Sequence, residues 1–291
     1  MPELPEVETV RRGLERLIVG KQFTSAEVLE PKSFLGDPRG LAGRTVRGLR
    51  RRGKVLVIEL DQGLAIAIHL KMTGQLVYRG PDEGWGGGHP NDSLVGGLPD
   101  GSTRVVLHLE GGADLFFNDQ RKFGWLMLTE ADAVDRLPLL VKMGPEPLEG
   151  NAWPQFHQRI RRHPKIGIKA ALLNQEIVAG IGNIYADEAL WGARVHPESL
   201  VGQLSDKKLK TILESAIAAM ELSLEKGGST DRNYVDAEGR RGAYLDFANV
   251  FRRQGLPCKR CSRPIVKTRV AGRGTHICTN CQRRARGIVQ K

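Results

Sequence analysis

The chain has 291 residues, 40% of them hydrophobic and 26% charged, enough for two or three compact units with ordinary cores and too apolar for a largely disordered polypeptide. Its 35 glycines and 15 prolines follow no three-residue period, which excludes collagen, and its longest apolar runs, Leu64 to Ile68 and Val55 to Ile58, fall far short of the roughly 20 residues of a membrane helix. The net charge of +11 belongs to the tail: residues 232–291 hold 15 Lys/Arg against 3 Asp/Glu, and no acidic residue follows Asp246.

The opening MPELPEVETV has no basic segment followed by an apolar one, so no secretory signal is expected and a soluble, cytoplasmic protein is. From Pro5 to Val19, Leu4, Val7, Val10, Leu14, Leu17 and Ile18 recur at helical spacing, with Glu6 and Glu8 near the start and Arg11, Arg12 and Arg16 later. Gly20 ends that helix. Strand-like runs follow at Phe23 to Leu29, Arg44 to Leu49, Val55 to Leu60, Leu64 to Leu70, Gln75 to Tyr78, Arg104 to Leu109, Asp114 to Phe117 and Gly124 to Leu128, which predicts a β-sandwich or barrel-like domain over 1–130. Gly80 to Gly101 is rich in Gly, Pro and Asp without a period, and is expected to be a surface excursion peripheral to any chemistry.

After Ala131 the pattern turns helical, with candidates at Ala152 to Arg162, Lys165 to Asn174, Ile184 to Trp191 and Ser205 to Leu224, the last capped by Ser205. Between the second and third, QEIVAGIGN carries Gly180 and Gly182 and makes a helix-turn-helix shape, which occurs both in nucleic-acid binding and in ordinary helical hairpins. This second domain spans 131–246. The expected fold class is therefore α+β.

All four cysteines lie in the final domain, 247–291, as Cys258-Lys-Arg-Cys261 and Cys278-Thr-Asn-Cys281. Two CxxC pairs on a hairpin present four thiolates to one ion, and one structural zinc is expected; a disulfide pair and an iron–sulfur cluster are the rivals. Four thiolates leave no open position for water, so such a zinc does no catalysis. Between the pairs, Pro264 to Val270 and Thr275 to Ile277 read as two strands joined through Ala271-Gly272-Arg273-Gly274, a tight turn that aims Arg273 either at a phosphate or at solvent. The unbroken basicity of this tail favours a polyanion, RNA or DNA, over a lipid surface.

The first residues have their own chemistry. Pro2 is small enough to permit removal of the initiator Met, which leaves a secondary amine, and α-amino groups titrate near 7.7–8, so part of it is neutral at physiological pH. Such an amine adds to an aldehyde carbon and loses water to give an iminium, with Glu3 placed to exchange protons. PELPE equally suits the first turn of a helix. Arg50, Arg51, Arg52 and Lys54 stand before the strand from Val55, where Lys54 is either a solvated edge residue or a phosphate ligand. Met72, in the turn after His69-Leu70-Lys71, is either packing or a wedge for a base stack.

In combination these segments resemble the formamidopyrimidine-DNA glycosylase family, bacterial base-excision repair enzymes also called 8-oxoguanine DNA glycosylases and related to endonuclease VIII. The resemblance rests on PELPEVETVRRGL at 2–14, RRGK at 51–54, HLKMTG at 69–74, DQRKFG at 119–124, HPKIGIKAALLNQEIVAGIGNIYADEALW at 163–191 and the four-cysteine hairpin. It implies an N-terminal β-sandwich with a leading helix, a helix-two-turn-helix domain with a lesion-capping loop, and a zinc hairpin. It further implies a monomeric enzyme of the bacterial cytoplasm and nucleoid that acts on damaged double-stranded DNA.

By the same resemblance Pro2 is the nucleophile at C1′, Glu3 the acid/base, Lys54 a contact to phosphate and lesion, and Glu6 a residue bordering the lesion pocket. Met72, Arg121 and Phe123 fill the vacated duplex, Arg121 facing the orphaned cytosine; Asn183 and Arg273 hold phosphate; Cys258, Cys261, Cys278 and Cys281 bind zinc. Base release from 8-oxoguanine opposite cytosine or from formamidopyrimidines is then followed by β,δ-elimination. An endonuclease VIII-like enzyme for oxidised pyrimidines and a non-enzymatic zinc-containing damage-binding protein are the alternatives. Three places depart from the family pattern: Gln120 stands where Pro is common, Lys71 where Gly is common, and GRRGAYL at 239–245 matches the lesion-capping loop poorly.

Overall fold

The computed structural model describes residues 1–89, 92–94, 96–228 and 244–284; most of GRRGAYL lies outside them. The chain divides into two compact units, Met1–Val141 with Leu224–Ala243, and Lys142–Ser223 with Tyr244–Lys291. The helical segment and the cysteine hairpin thus share a unit.

The first unit opens with α1 (Leu4–Ile18). Among the described residues ten strands follow: β1 (Phe23–Val28), β2 (Phe34–Leu35), β3 (Val46–Arg52), β4 (Val55–Leu60), β5 (Leu64–His69), β6 (Gly74–Arg79), β7 (Gly84–Gly88), β8 (Thr103–Leu109), β9 (Ala113–Asp119) and β10 (Trp125–Glu130), with a short α2 (Pro138–Val141) after them. They form two five-stranded sheets, β1-β8-β9-β6-β7 and β2-β10-β5-β4-β3. Val55 to Ile58 and Ala65 to Ile68 are buried without alternation, as expected of interior strands covered on both faces. Phe23, Leu76, Val105, Leu115 and Phe117 of the first sheet share one apolar core with Leu56, Ile58, Ile66, Ile68 and Leu126 of the second, which is the β-sandwich the sequence predicts.

The Gly-rich stretch is only in part the surface excursion expected. Gly84–Gly88 is a strand paired with β6, Tyr78 opposite Trp85, and Trp85 is 3% exposed within the core. Gly87 in this strand and Gly13 in α1 let the helix and the indole meet. A Cβ at Gly87 would stand 2.6 Å from the Trp85 ring and 2.9 Å from Val10, and one at Gly13 would meet the same ring at 2.2 Å. A side chain at either place would crowd the helix against the indole, so this contact requires glycine at both.

The second unit contains α3 (Trp153–Ile160), α4 (Ile168–Leu173), α5 (Asn183–Gly192), most of α6 (Asp206–Glu225), α7 (Tyr244–Phe247), and the hairpin of β11 (Val266–Val270) and β12 (Arg273–Ile277). Ser205 caps α6, its hydroxyl accepting the Lys208 N–H at 3.3 Å. Residues 174–182 make two successive turns: Ile177 and Val178 donate to the Asn174 carbonyl, and the Gln175 side chain accepts from Gly180 N and donates to the carbonyls of Leu173 and Ile181. Gly180 has φ 78, a value L side chains rarely take. No described helix is long and apolar enough to cross a membrane.

Candidate functional site

In the first unit, Pro2 is buried, as are Glu3 at 2% and Glu6 at 9% exposed, whereas Met1 is 41% exposed and open to removal. Glu6 reaches back to accept the Glu3 N–H at 2.9 Å, fixing the chain as it enters the helix. Glu6 also lines a small open cleft with Thr9, Val10, Gly87, Gly88, Gly227 and Gly228. A structural and a pocket role therefore coincide on one carboxylate, and β7, which sequence patterning had set apart, supplies part of that wall.

Arg51 ties α1 to the β3–β4 turn. Its Nε donates to Glu8 at 3.2 Å and its Nη1 to the Gly53 carbonyl at 2.9 Å. Gly53 has φ 56, the left-handed value that a two-residue hairpin turn demands of a glycine. This is why RRGK carries glycine before Lys54, which is itself only 7% exposed. Lys54 and Lys71 both bear on His69: burial first, then these two ammonium groups, push the His69 imidazole down to about 3. Held neutral, its Nδ1 accepts the Lys71 N–H at 3.0 Å. Lys71 has φ 50, so the turn before Met72 asks for a conformation that glycine takes more readily.

The turn holding Met72 and the turn holding Arg121 and Phe123 are joined through one carboxylate. Asp119, fully buried, accepts the Thr73 hydroxyl and the N–H groups of Arg121 at 3.1 Å, Phe123 at 2.9 Å and Gly124 at 2.7 Å. Phe123 is 54% exposed, with the Arg121 guanidinium 4.8 Å from its ring centroid. Met72 is half-buried and directly precedes Thr73 in the chain. Two further glycines of these motifs mark close approach: a Cβ at Gly74 would lie 2.4 Å from the Leu70 carbonyl, and one at Gly124 2.7 Å from the Phe117 ring.

In the second unit, Asn183 opens α5 and its Nδ2 donates to the Gly274 carbonyl at 2.9 Å, beside Arg273. The hairpin turn is Ala271-Gly272, both with positive φ, so Arg273 is not at the tip between two glycines but is the exposed first residue of β12, opposite Val270. Beneath it lies an ion pair the sequence did not disclose. Lys169 Nζ, completely buried, meets Asp187 Oδ1 at 2.6 Å and Thr275 Oγ1 at 2.7 Å, while Asp187 Oδ2 accepts the His276 N–H at 2.8 Å. These bonds fasten α4 and α5 to β12.

The four cysteine Sγ atoms lie within 4.8 Å of one another, at 3.5 Å for Cys261 and Cys278 and 4.0 Å for Cys258 and Cys281. A tetrahedron of thiolates about 2.3 Å from one ion has edges of about 3.8 Å, so the spacing suits a metal ion and is far too long for disulfides. The thiols cannot all ionise alone. Against the opposing effect of burial, N–H donors from Arg260 and Trp191 bring Cys258 down to about 6, whereas burial and then the neighbouring thiols push Cys281 up to about 12. Four thiolates here call for a cation.

Three family models match successive parts of the chain: the formamidopyrimidine-DNA glycosylase N-terminal domain over 1–126, the formamidopyrimidine-DNA glycosylase H2TH domain over 143–234, and the zinc finger found in FPG and IleRS over 255–284. Formamidopyrimidine-DNA glycosylases of Streptococcus pneumoniae (strain R6) and Desulforamulus reducens are 41% and 38% identical, over 98% and 97% of this chain and 100% and 99% of theirs. Lactococcus lactis Fpg in complex with abasic-site DNA, and the wild-type Lactococcus lactis enzyme with N7-benzyl-Fapy-dG DNA, each superpose with a TM-score of 0.85 at 34% identity, over 97% of this chain and 100% of the other. Since the similarity is full-length on both sides and runs through all three parts in order, this chain belongs to the formamidopyrimidine-DNA glycosylase family, related to endonuclease VIII.

Proposed function

We propose that Pro2, freed of Met1, is the nucleophile with which this chain, a DNA glycosylase and AP lyase for oxidised purines, works on duplex DNA. The observation that carries the reading is the seat of the N-terminus: Pro2 and Glu3 are buried at the head of α1, whose next turn lines the Glu6 cleft. The damaged nucleotide has to leave the helix before its sugar is reachable. The Pro2 nitrogen then bonds to C1′ and the base departs with the glycosidic electron pair. Ring opening and loss of the amine proton leave an iminium, with Glu3 moving the protons. The iminium acidifies C2′, a proton leaves there, and the 3′ phosphate is expelled; a second elimination expels the 5′ phosphate.

In this reading Lys54 holds a phosphate near the reacting sugar and Glu6 borders the extruded base. Met72, Arg121 and Phe123 occupy the space it leaves, an insertion that offsets an unstacking cost of a few kcal/mol, and Arg121 reads the orphaned cytosine. Asn183 and Arg273 bind backbone phosphates. Cys258, Cys261, Cys278 and Cys281 hold one zinc ion, which supplies structure to the hairpin and no bond chemistry. Residues 1–130, 131–246 and 247–291 accordingly serve as catalytic, helical DNA-binding and zinc-hairpin domains. The lysines and arginines of the tail add a salt-dependent grip on phosphate.

Borohydride trapping on an 8-oxoguanine:C duplex, followed by peptide mass analysis, tests the nucleophile. The sugar adduct is expected on Pro2. An adduct only on Lys54 or another lysine overturns the assignment, as does strand cleavage with no trapped adduct.

A further inference from the structure

We infer that Asp119 is a positioning residue that makes the Met72 turn and the Arg121–Phe123 turn one rigid wedge; this rests on the reading that these side chains fill the duplex. The turn 119–122 is closed by one backbone hydrogen bond but lacks the residues that would stiffen it. Gln120 occupies the second position of the turn closed by Lys122 N to the Asp119 carbonyl, where a proline would pre-set φ near −65°, and Lys122 has φ 56 without being glycine. An unaided turn of this kind would sample several conformations. Phe123 is largely exposed, so side-chain packing does not restrain it either.

Asp119 supplies the missing restraint. Its Oδ2 accepts from Phe123 N and Gly124 N, its Oδ1 from Arg121 N and the Thr73 hydroxyl, and Thr73 Oγ1 in turn accepts the Arg121 N–H at 3.0 Å. Thr73 directly follows Met72. The carboxylate is itself anchored in the sheet: Asp119 pairs with Gly74 across β6 and β9, its N–H donates to the Ser102 carbonyl, and its own carbonyl accepts Arg104 Nε at 2.8 Å. The last glycine of DQRKFG follows from the same design, since a Cβ at Gly124 would stand 3.1 Å from Asp119 Oδ2. Bonds from one buried carboxylate to three backbone donors of a turn are strong and directional. They hold the backbone that carries Arg121 and Phe123 at a fixed register to the backbone that carries Met72, which is what an inserted wedge needs before it meets DNA.

The test separates wedge from sugar chemistry. Asp119→Asn keeps the size but places an amide N–H₂ toward at least one N–H donor, and Thr73→Val removes the bridge to the Met72 turn at nearly constant shape. Borohydride trapping is measured for each on an abasic site in a duplex and on the same site in single-stranded DNA, which has no partner base to displace. Both variants are expected to trap the duplex site at least about tenfold more slowly, the scale of losing a hydrogen bond to a charged group, and the single-stranded site within about twofold of the parent. A duplex to single-strand ratio unchanged from the parent in Thr73→Val or in a folded Asp119→Asn overturns the inference, and so does an equal loss on both substrates. If Asp119→Asn does not fold, Thr73→Val decides alone. Failure of the parent itself to trap either substrate refutes the proposed function instead.

Discussion

A Cβ on Gly13 would lie 2.2 Å from Cζ2 of Trp85: the helix that carries the N-terminus is seated directly on an indole supplied by the Gly-rich strand. Trp85→Ala is therefore expected to cost about 3–5 kcal/mol, the range for emptying a large buried aromatic site. Gly13→Ala gains helix propensity of about 1 kcal/mol but meets ring atoms and should be a net loss of about 1–3 kcal/mol. Denaturant unfolding measures both. Replacing 82–99 by a short Gly/Ser connector, which the sequence pattern alone presents as harmless, removes Trp85 and part of the wall of the Glu6 cleft and should lower single-turnover cleavage by more than tenfold. Cleavage within threefold of the parent would show that α1 holds its place without β7.

Metal removal should act on binding before it acts on chemistry. The thiols form part of a small apolar cluster with Trp191, Val250 and Ile265, and the Arg260 guanidinium stacks 3.6 Å from the Trp191 ring. Cys258→Ser, or a strong chelator, is expected to disorder the hairpin bearing Arg273 and to weaken duplex binding, with trapping on single-stranded abasic DNA less affected. Metal analysis should find one zinc per chain in the parent. A value near zero together with full duplex affinity would defeat the claim.

The buried pair Lys169–Asp187 gives a sharper test of how the hairpin is held. Lys169→Met leaves the Asp187 carboxylate without its cation in the interior and should destabilise the second unit by about 3–5 kcal/mol. The double variant Lys169→Met with Asp187→Leu removes both charges and should recover part of that loss. Duplex affinity is expected to follow stability, since both residues bond to β12 next to Arg273. Additive losses in the double-variant cycle would show that the two side chains do not act as a pair.

Patterning located the strands well where side chains alternate or run apolar. Val55 to Leu60 coincides with β4, and α1, α5 and α6 fall within two residues of the spans expected. It failed at β7, because period-2 reading needs side chains and Gly84-Trp85-Gly86-Gly87-Gly88 offers one. The isolated Trp among glycines was the available signal: a large apolar ring with no apolar neighbours in sequence has to find them in space. Motif glycines were legible as motif, but their causes were not, since the Trp85 ring, the Leu70 carbonyl and the Phe117 ring that exclude a Cβ are distant in sequence or set by turn geometry. Asp119 and Lys169 were likewise visible only as letters within motif segments; their roles depend on partners that the fold brings from other elements, Thr73 for the first and Asp187 and Thr275 for the second.

Acid should weaken the first unit through His69. The unfolded imidazole titrates near 6.5, while burial, Lys71 and Lys54 hold the folded one down to about 3. As pH falls below 6.5 the unfolded chain takes up a proton that the folded chain refuses, so stability present above 6.5 is lost progressively until about 3. With a discount for solvent access, the difference between pH 7 and pH 4.5 should be about 1–2 kcal/mol. His69→Gln, which does not titrate, should show a shallower decline than the parent in urea unfolding over that interval. Parallel declines would mean that His69 is protonated in the folded protein as readily as in the unfolded chain.

Opposite-base discrimination is expected to reside on Arg121. Its backbone is fixed by Thr73 and Asp119, and its guanidinium lies over the exposed Phe123 ring, an arrangement that orients a planar donor fork beside an inserted aromatic. Cytosine left without its partner offers acceptors to such a fork, whereas adenine presents a different edge, and one good bidentate contact is worth about 1–3 kcal/mol of discrimination. Arg121→Ala should therefore reduce processing of 8-oxoguanine:C more than of 8-oxoguanine:A, narrowing the ratio between them by about fivefold or more. Phe123→Ala should slow both duplexes alike, because a wedge stacks on any neighbour. Single-turnover rates on the two duplexes decide the matter, and equal proportional losses in Arg121→Ala would show that the residue fills space without reading the base.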